Sequence, residues 1–476
     1  MESLRETFPS NISIDHFERV YFPHPGCTAE FVTFRSTSSA PDAPPVATIQ
    51  RMTIQGAYAD LLLRPHHISR AFLEGLRVQI PILGHAGKSP GERTSSHTTV
   101  GEVIANGAIL EVARSNNKAT LRFEIHKLSL RSVGAKTAIS YQVAVRNAEP
   151  PGEITSTGHV GPFNEGNVGQ TAVSGTYSFN QADLSAFRGI AGILTSEGKF
   201  SGPLARIDVQ GATDVPDFQV VRTSHMGTLH THFHALVDGL NGDVALTEVN
   251  ASYEGTEFKT RGQIAHKEGA AGKFTSLDFI VRDGRIQDLL RIFARERPPM
   301  SGKTNFRAHV TVAPDGKPFL KEVTLDGDFE SRDERFGNPR TQERVNELSE
   351  TARGRKKGRK NNEENEPADN VLSNLRGHVV LRNGIATFPS VEFTVPGADA
   401  RAHGTYNLLN DRIDFHGTVK MDAKFSQSTS GIKSFLAKVL DPIFSNKQGS
   451  GSVVPVVMDG TYDSPHFGVD LNPTKK

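Results

Sequence analysis

His230, His232 and His234 stand at alternate positions, so in a strand their imidazoles leave one face about 6.6 Å apart. Two such nitrogens could share a metal ion, and a zinc site would draw further ligands from His225, Asp238 or Glu248. The intervening Leu229, Thr231, Phe233, Ala235 and Val237 favour another account, a half-buried strand whose wet face carries the histidines. We therefore expect no metal. Gly87-Lys88-Ser89 lacks the partner glycine of a phosphate loop, since Ile82 holds that position and Pro90 stops a following helix. No His-Glu-x-x-His helix occurs. Asp326 and Asp328 flank Gly327 and read as solvated turn acids rather than a catalytic pair. The expectation is a chain with no enzymatic activity and no cofactor. The basic run Arg353 to Lys360 has no interleaved aromatics, so it reads as a solvated insertion, with anionic lipid second and no nucleic acid partner.

The bulk properties agree with a binding or carrier role. The 476 residues exceed one ordinary core, so several domains or one long repetitive architecture must account for them. Lys and Arg total 54 against 53 for Asp and Glu, so the net charge gives no reason to expect a general polyanion binder, and any basic patch must be local. Cys27 is the only cysteine, so no internal disulfide forms and no multi-cysteine metal site is possible. The segment Met1 to Pro9 holds no apolar stretch of the signal-peptide kind. No membrane-spanning apolar run occurs in the chain.

The elements that must position any site are strands. From Ile413 to Phe425, residues Ile413, Phe415, Val419, Met421, Ala423 and Phe425 point one way, interrupted only by Gly417, and the polar residues Asp414, His416, Thr418, Lys420, Asp422 and Lys424 the other. Shorter alternation recurs from Thr120 to Leu130, Ile139 to Val145, Leu229 to Val237, Phe306 to Val312 and Val391 to Val395. Asn383-Gly384 and Asp315-Gly316 supply hairpin turns. Helices are expected at Gln181 to Leu194, at Ile286 to Phe293 and, as an amphipathic helix, at Gly431 to Phe444. Ser36 to Pro45 reads as a loop, and Ser331 to Asp369, densely charged, as an insertion that loops out. Gly211, Asp214, Pro216 and Phe218 recur at the spacing of Gly460, Asp463, Pro465 and Phe467, which reads as a structural repeat.

The resulting expectation is a mainly β protein, a long, curved antiparallel sheet forming an apolar groove with a few short helices on its face or ends. Its parts are an N-terminal segment (1–45), a β-rich groove region (46–330), a charged insertion (331–370) and a C-terminal β region (371–476). A dry face this long must curl or hold an apolar ligand. Phe393, Val395, Phe415, Val419 and Met421 are the candidates for lining a lipid groove. Alternatively they are the core beneath helix 431–444.

Several C-terminal motifs point to a family. Gly377-His-Val-Val-Leu-Arg-Asn-Gly384, Phe393-Thr-Val-Pro-Gly-Ala398, Gly404-Thr-Tyr-Asn-Leu and Asp414-Phe-His-Gly417 resemble the C-terminal region of AsmA-like envelope proteins. Ser430-Gly-Ile-Lys-Ser-Phe435, Asp441-Pro-Ile-Phe444 and Gly460-Thr-Tyr-Asp-Ser-Pro465 follow that family's order. The resemblance implies a curved antiparallel sheet with an apolar groove, in the periplasm and associated with the bacterial inner membrane, binding or moving phospholipid. It implies no enzyme chemistry. Family members usually open with a membrane helix, whereas Met1 here leads into what resembles the segment after it, so membrane association is expected through a segment absent from this chain. The alternative is an assembly factor for outer-membrane biogenesis that carries no lipid.

Overall fold

The computed structural model describes residues 10–469 apart from 37–44, 64–66, 81–97, 114–119, 135–136, 165–166, 188, 221–224, 268–271, 293–297, 299, 315–316, 353–373 and 422–451. The protein is mainly β; the described residues form one large and mostly antiparallel sheet of 26 strands with four short helices. Strands β1 (Ser10–Ser13) and β2 (His16–Val20) lie end to end along β3 (Gly26–Ser36), which pairs with β4 (Ala47–Gln55). β5 (His67–Glu74) and β6 (Arg77–Ile80) lie end to end along β4 and run parallel to β7 (Thr99–Val112). These are the two parallel pairings described.

From β7 onward the chain is an antiparallel meander. It continues through β8 (Leu121–Val133), β9 (Ile139–Ala148), β10 (Pro151–Val160) and β11 (Ala172–Asp183). The two-residue β12 (Ile190–Ala191) and β13 (Ile193–Pro203) share one position beside β14 (Ile207–Val220). Then come β15 (Gly227–Val237), β16 (Val244–Tyr253), β17 (Thr256–His266), β18 (Lys273–Arg285), β19 (Met300–Val312) and β20 (Val323–Phe336). The series ends with β21 (Asn374–Arg382), β22 (Ile385–Val395), β23 (Ala398–Asn407), β24 (Arg412–Met421), β25 (Ser452–Thr461) and β26 (Pro465–Val469). Because three pairs are collinear, the ladder is 23 positions across. At about 4.8 Å per strand, that path is on the order of 100 Å long.

Side chains alternate across this ladder with one sense maintained over most of its length. A row of directly opposed residues runs Val143, Ser156, Tyr177, Gly198, Gly211, Phe233 and Val249 on β9 to β16. It continues as Thr260, Phe279, Ala308, Gly327 and Val379 to β21. The neighbouring row, Gln142, Thr157, Thr176, Lys199, Gln210, His234 and Glu248, faces the opposite way. One side of the sheet is apolar and the other is wet, which is what period-two alternation requires when strands keep register.

The helices sit at the two ends of the strands. α1 (Tyr58–Leu63) follows β4, and α3 (Phe319–Glu322) joins β19 to β20 at the same end. α2 (Ile286–Arg291) and α4 (Pro339–Ala352) occupy the other end. Leu320 of α3 is buried with Val323, Leu381, Ala386 and Leu408, and Val345 of α4 packs on the buried Val395, Ala398, Val419, Met421 and Val454. A third cluster, Ala29, Val32, Ile49 and Met52, stabilises the N-terminal strands.

Contacts between distant positions show that the sheet curls. Gly189, between β11 and β12, backs onto Phe319 so closely that a Cβ there would collide with that side chain. The two lie at opposite strand ends and about six ladder positions apart, roughly 30 Å along a flat sheet. Asn338, just before α4, donates from Nδ2 to Tyr462 O at 3.4 Å, again linking opposite strand ends several positions apart. The ribbon winds so that one end of an earlier stretch meets the other end of a later one, the expected outcome of twist accumulated over many strands.

Three expectations require correction. No helix spans 181–194: after a left-handed Gln181, β11 resumes pairing at Ala182 with Leu194 of β13. The apolar stripe there is interrupted by Gly189 and Gly192 at φ +94° and +134°, and only a 3-10 turn forms, capped by Asp183 accepting from Ser185 N at 2.9 Å. Residues 331–336 belong to β20, and α4 occupies 339–352 rather than a loop. Asn338 accepts the first helical bond from Gln342 N at 3.0 Å, with Pro339 at the favoured opening position. Finally, the repeated Gly-Asp-Pro-Phe sets are not equivalent: the first lies within β14 across a register shift, the second across the β25–β26 turn. The expected helices at 431–444 and beyond residue 292, the Asp315-Gly316 turn, the loop at 37–44 and the basic run 353–360 lie outside the described residues.

Candidate functional site

The apolar face is the candidate site, and its residues fall into two kinds. At the C-terminal end it is covered. Val395, Val419 and Met421 are 2%, 5% and 4% exposed, with Phe393 packed against their cluster and Val345 of α4 lying on it. Phe393 also meets Phe336 edge-on at 6.1 Å. Ser349 fastens α4 by donating from Oγ to Pro396 O at 3.0 Å in the β22–β23 turn. Of the two roles expected for these residues, core rather than open groove holds for Val395, Val419 and Met421, and the cover described is α4. Phe415 lies apart from that cluster, 5.5 Å from Phe388, which meets Phe329 edge-on at 6.2 Å.

Across the central strands the same face is half-buried and carries no described helix. Tyr141, Phe200, Phe233, Phe258, Phe279 and Phe306 are all of this intermediate class. With 73% of the described residues in strand and 8% in helix, the described helices can cover the ends of the sheet but not its middle. A contiguous apolar strip of this kind is a candidate interaction surface. Polar groups within it are mostly tied to one another. Tyr141 OH pairs with Ser156 Oγ at 3.0 Å, and Tyr177 OH with Ser196 Oγ at 3.1 Å, which also receives Thr213 Oγ1 at 3.2 Å. Burial pushes the Tyr177 hydroxyl pKa up, against the opposing Ser196 hydrogen bond. Thr260 Oγ1 is buried without a partner.

The wet face carries a series of cross-strand histidine–carboxylate contacts. His230 pairs with Asp214, and His234 Nε2 lies 2.7 Å from Asp208. Similar pairs join His309 to Asp278 at 2.8 Å and His378 to Asp328 at 2.9 Å. His309, through its hydrogen bond, holds the Asp278 carboxyl below the ordinary carboxylate range, against a smaller opposing desolvation. Asp326 and Asp328 stand mid-strand in β20, not in a turn, and both reach His378. Among the described residues no three His, Cys, Asp or Glu side chains converge as a metal site. Burial raises the pKa of the half-buried Cys27 thiol, the direction of an unreactive side chain. Gly87-Lys88-Ser89 lies outside the described residues. No helix among the described residues is long and apolar enough to cross a membrane. No protein-family model, curated protein or solved structure matches this chain.

Proposed function

We propose that this chain is a non-enzymatic protein of the bacterial cell envelope that binds or transfers phospholipid on its apolar face, supporting outer-membrane maintenance. One observation carries the reading: an apolar face runs in register across the ladder and is half-buried, without a described helix, over its central strands. Hydrocarbon tails would gain about 0.8 kcal/mol per methylene taken from water. Headgroups would remain at the margin, where the wet face begins. The likeness of the C-terminal motifs to AsmA-like proteins supports a site of action in the periplasm at the inner membrane, with phospholipid as the partner. Native mass spectrometry of the purified chain with lipid extraction, followed by exchange against labelled vesicles, tests the reading. Bound, exchangeable phospholipid is expected; a chain that neither carries nor acquires phospholipid would overturn it.

A further inference from the structure

The central part of the apolar face has a feature that a generic greasy sheet lacks. Gly158 on β10 is directly opposite Gly175 on β11, and Gly198 on β13 directly opposite Gly211 on β14. All four point to the apolar side, where they leave no side chain standing. Aromatic rings from neighbouring strands lie over these gaps. A Cβ on Gly175 would stand 2.8 Å from Tyr141 OH and 3.0 Å from Phe200 Cζ. One on Gly198 would stand 2.8 Å from Tyr177 Cε1, and one on Gly211 2.9 Å from Tyr177 OH and 3.0 Å from Phe233 Cζ.

Each tyrosine therefore reaches across two strands with its ring laid along the sheet. Tyr141 starts on β9, opposite Gly158, and ends over Gly175; Tyr177 starts on β11, crosses Gly198 and ends over Gly211. Their hydroxyls pin them there, on Ser156 and Ser196. Ser156 Oγ donates to Thr176 O at 2.8 Å, and Ser196 Oγ to Ala212 O at 2.9 Å, so the pins are anchored to backbone. These bonds use the polar atoms internally and turn ring surface towards the open side. The two glycine pairs lie in adjacent apolar rows: Tyr141, Gly158, Gly175 and Phe200 run on into Val209 and Ala235, Tyr177, Gly198, Gly211 and Phe233 form the next, and Ile154 and Phe179 stand beyond it. The glycines lower these two neighbouring rows where the rings lie over them, and both rows run across the strands, along the ribbon's length.

We propose that this trough, paved by Tyr141, Tyr177, Phe200 and Phe233 over paired glycines, is the seat of a single acyl chain, lying lengthwise along the ribbon. It deepens the lipid-binding reading above and rests on it. From β9 to β15 the trough crosses six strands, about 24 Å, more than the roughly 15 Å of bilayer hydrocarbon that one chain spans. The C-terminal aromatics do not form an equivalent track: Phe388 packs against both Phe329 and Phe415, ring on ring, so they spend their surface on each other.

The test uses the full chain with a benzophenone amino acid in place of Phe233 or, separately, of Phe415, irradiated with vesicles of phosphatidylglycerol and phosphatidylethanolamine. A phospholipid-mass adduct at position 233, stronger than at 415, is expected. Gly198→Ala, whose Cβ would collide with the facing Gln210 carbonyl oxygen as well as stand 2.8 Å from the Tyr177 ring and so would displace the trough floor, should lower the phospholipid recovered by about fourfold or more, the contact of one methylene, with a cooperative melt retained. Should that variant fail to fold, the cross-link at 233 decides alone. Lipid bound by the wild-type chain but cross-linked at 415 and not at 233 overturns the trough and leaves the lipid-binding reading standing. Undiminished lipid on a folded Gly198→Ala chain has the same meaning. No lipid on the wild-type chain overturns both.

Discussion

Alternation in β24 marks Met421 as belonging to the dry side of the sheet, and it lies there, but alternation says nothing about what covers it. That depends on α4, whose charged sequence offers few apolar positions and whose Val345 reaches the cluster from far along the chain. Met421 is 4% exposed, so Met421→Ala removes a packed core side chain rather than a ligand contact. We expect it to destabilise the chain by about 2–5 kcal/mol in urea unfolding, with phospholipid bound per folded molecule unchanged. The trough residues escape sequence reading for a related reason. Gly158 with Gly175 and Gly198 with Gly211 become pairs only once register is known, and no local pattern records which ring lies over which glycine.

Strands are the elements that the sequence states most clearly, because period-two alternation is local and the turns between them have chemical signatures. The expected runs at 139–145, 229–237, 306–312 and 391–395 fall within β9, β15, β19 and β22, and all of 120–130 but Thr120 falls within β8. Asn383 and Gly384, at φ +53° and +76°, both take the left-handed conformation that a tight hairpin demands. Gly384→Ala should therefore cost about 1–2 kcal/mol from backbone handedness alone, and more because a Cβ there would stand 2.8 Å from Leu409 Cγ. Thermal unfolding followed by circular dichroism checks this, with Asn383→Gly as a tolerated control. Helices were harder to read. The stripe through Leu184, Phe187, Ile190 and Leu194 has helical spacing, yet Leu194 pairs across the ladder with Ala182. In α4 the reverse holds: its termini and helix-forming residues specify a helix that its charge disguises.

At the scale of the whole molecule, curvature comes from contacts that no segment foretells. Asn338 and Tyr462 are adjacent only because the ribbon winds. In a Cys27→Ser background, the double variant Asn338→Cys and Tyr462→Cys should be closed within one molecule by a short bismaleimide, giving a faster-migrating species in denaturing gels. A flat ribbon would leave the two cysteines unlinked.

Most of the ladder is held by neighbours alone: each strand from β14 to β25 bonds to the one before and the one after. Such a molecule has length as an adjustable trait. Duplicating one hairpin inserts two rungs and about 10 Å of reach, while disturbing only the joints where the new pair enters. Evolution could thus fit the same face to gaps of different width by counting rungs, without redesigning a core.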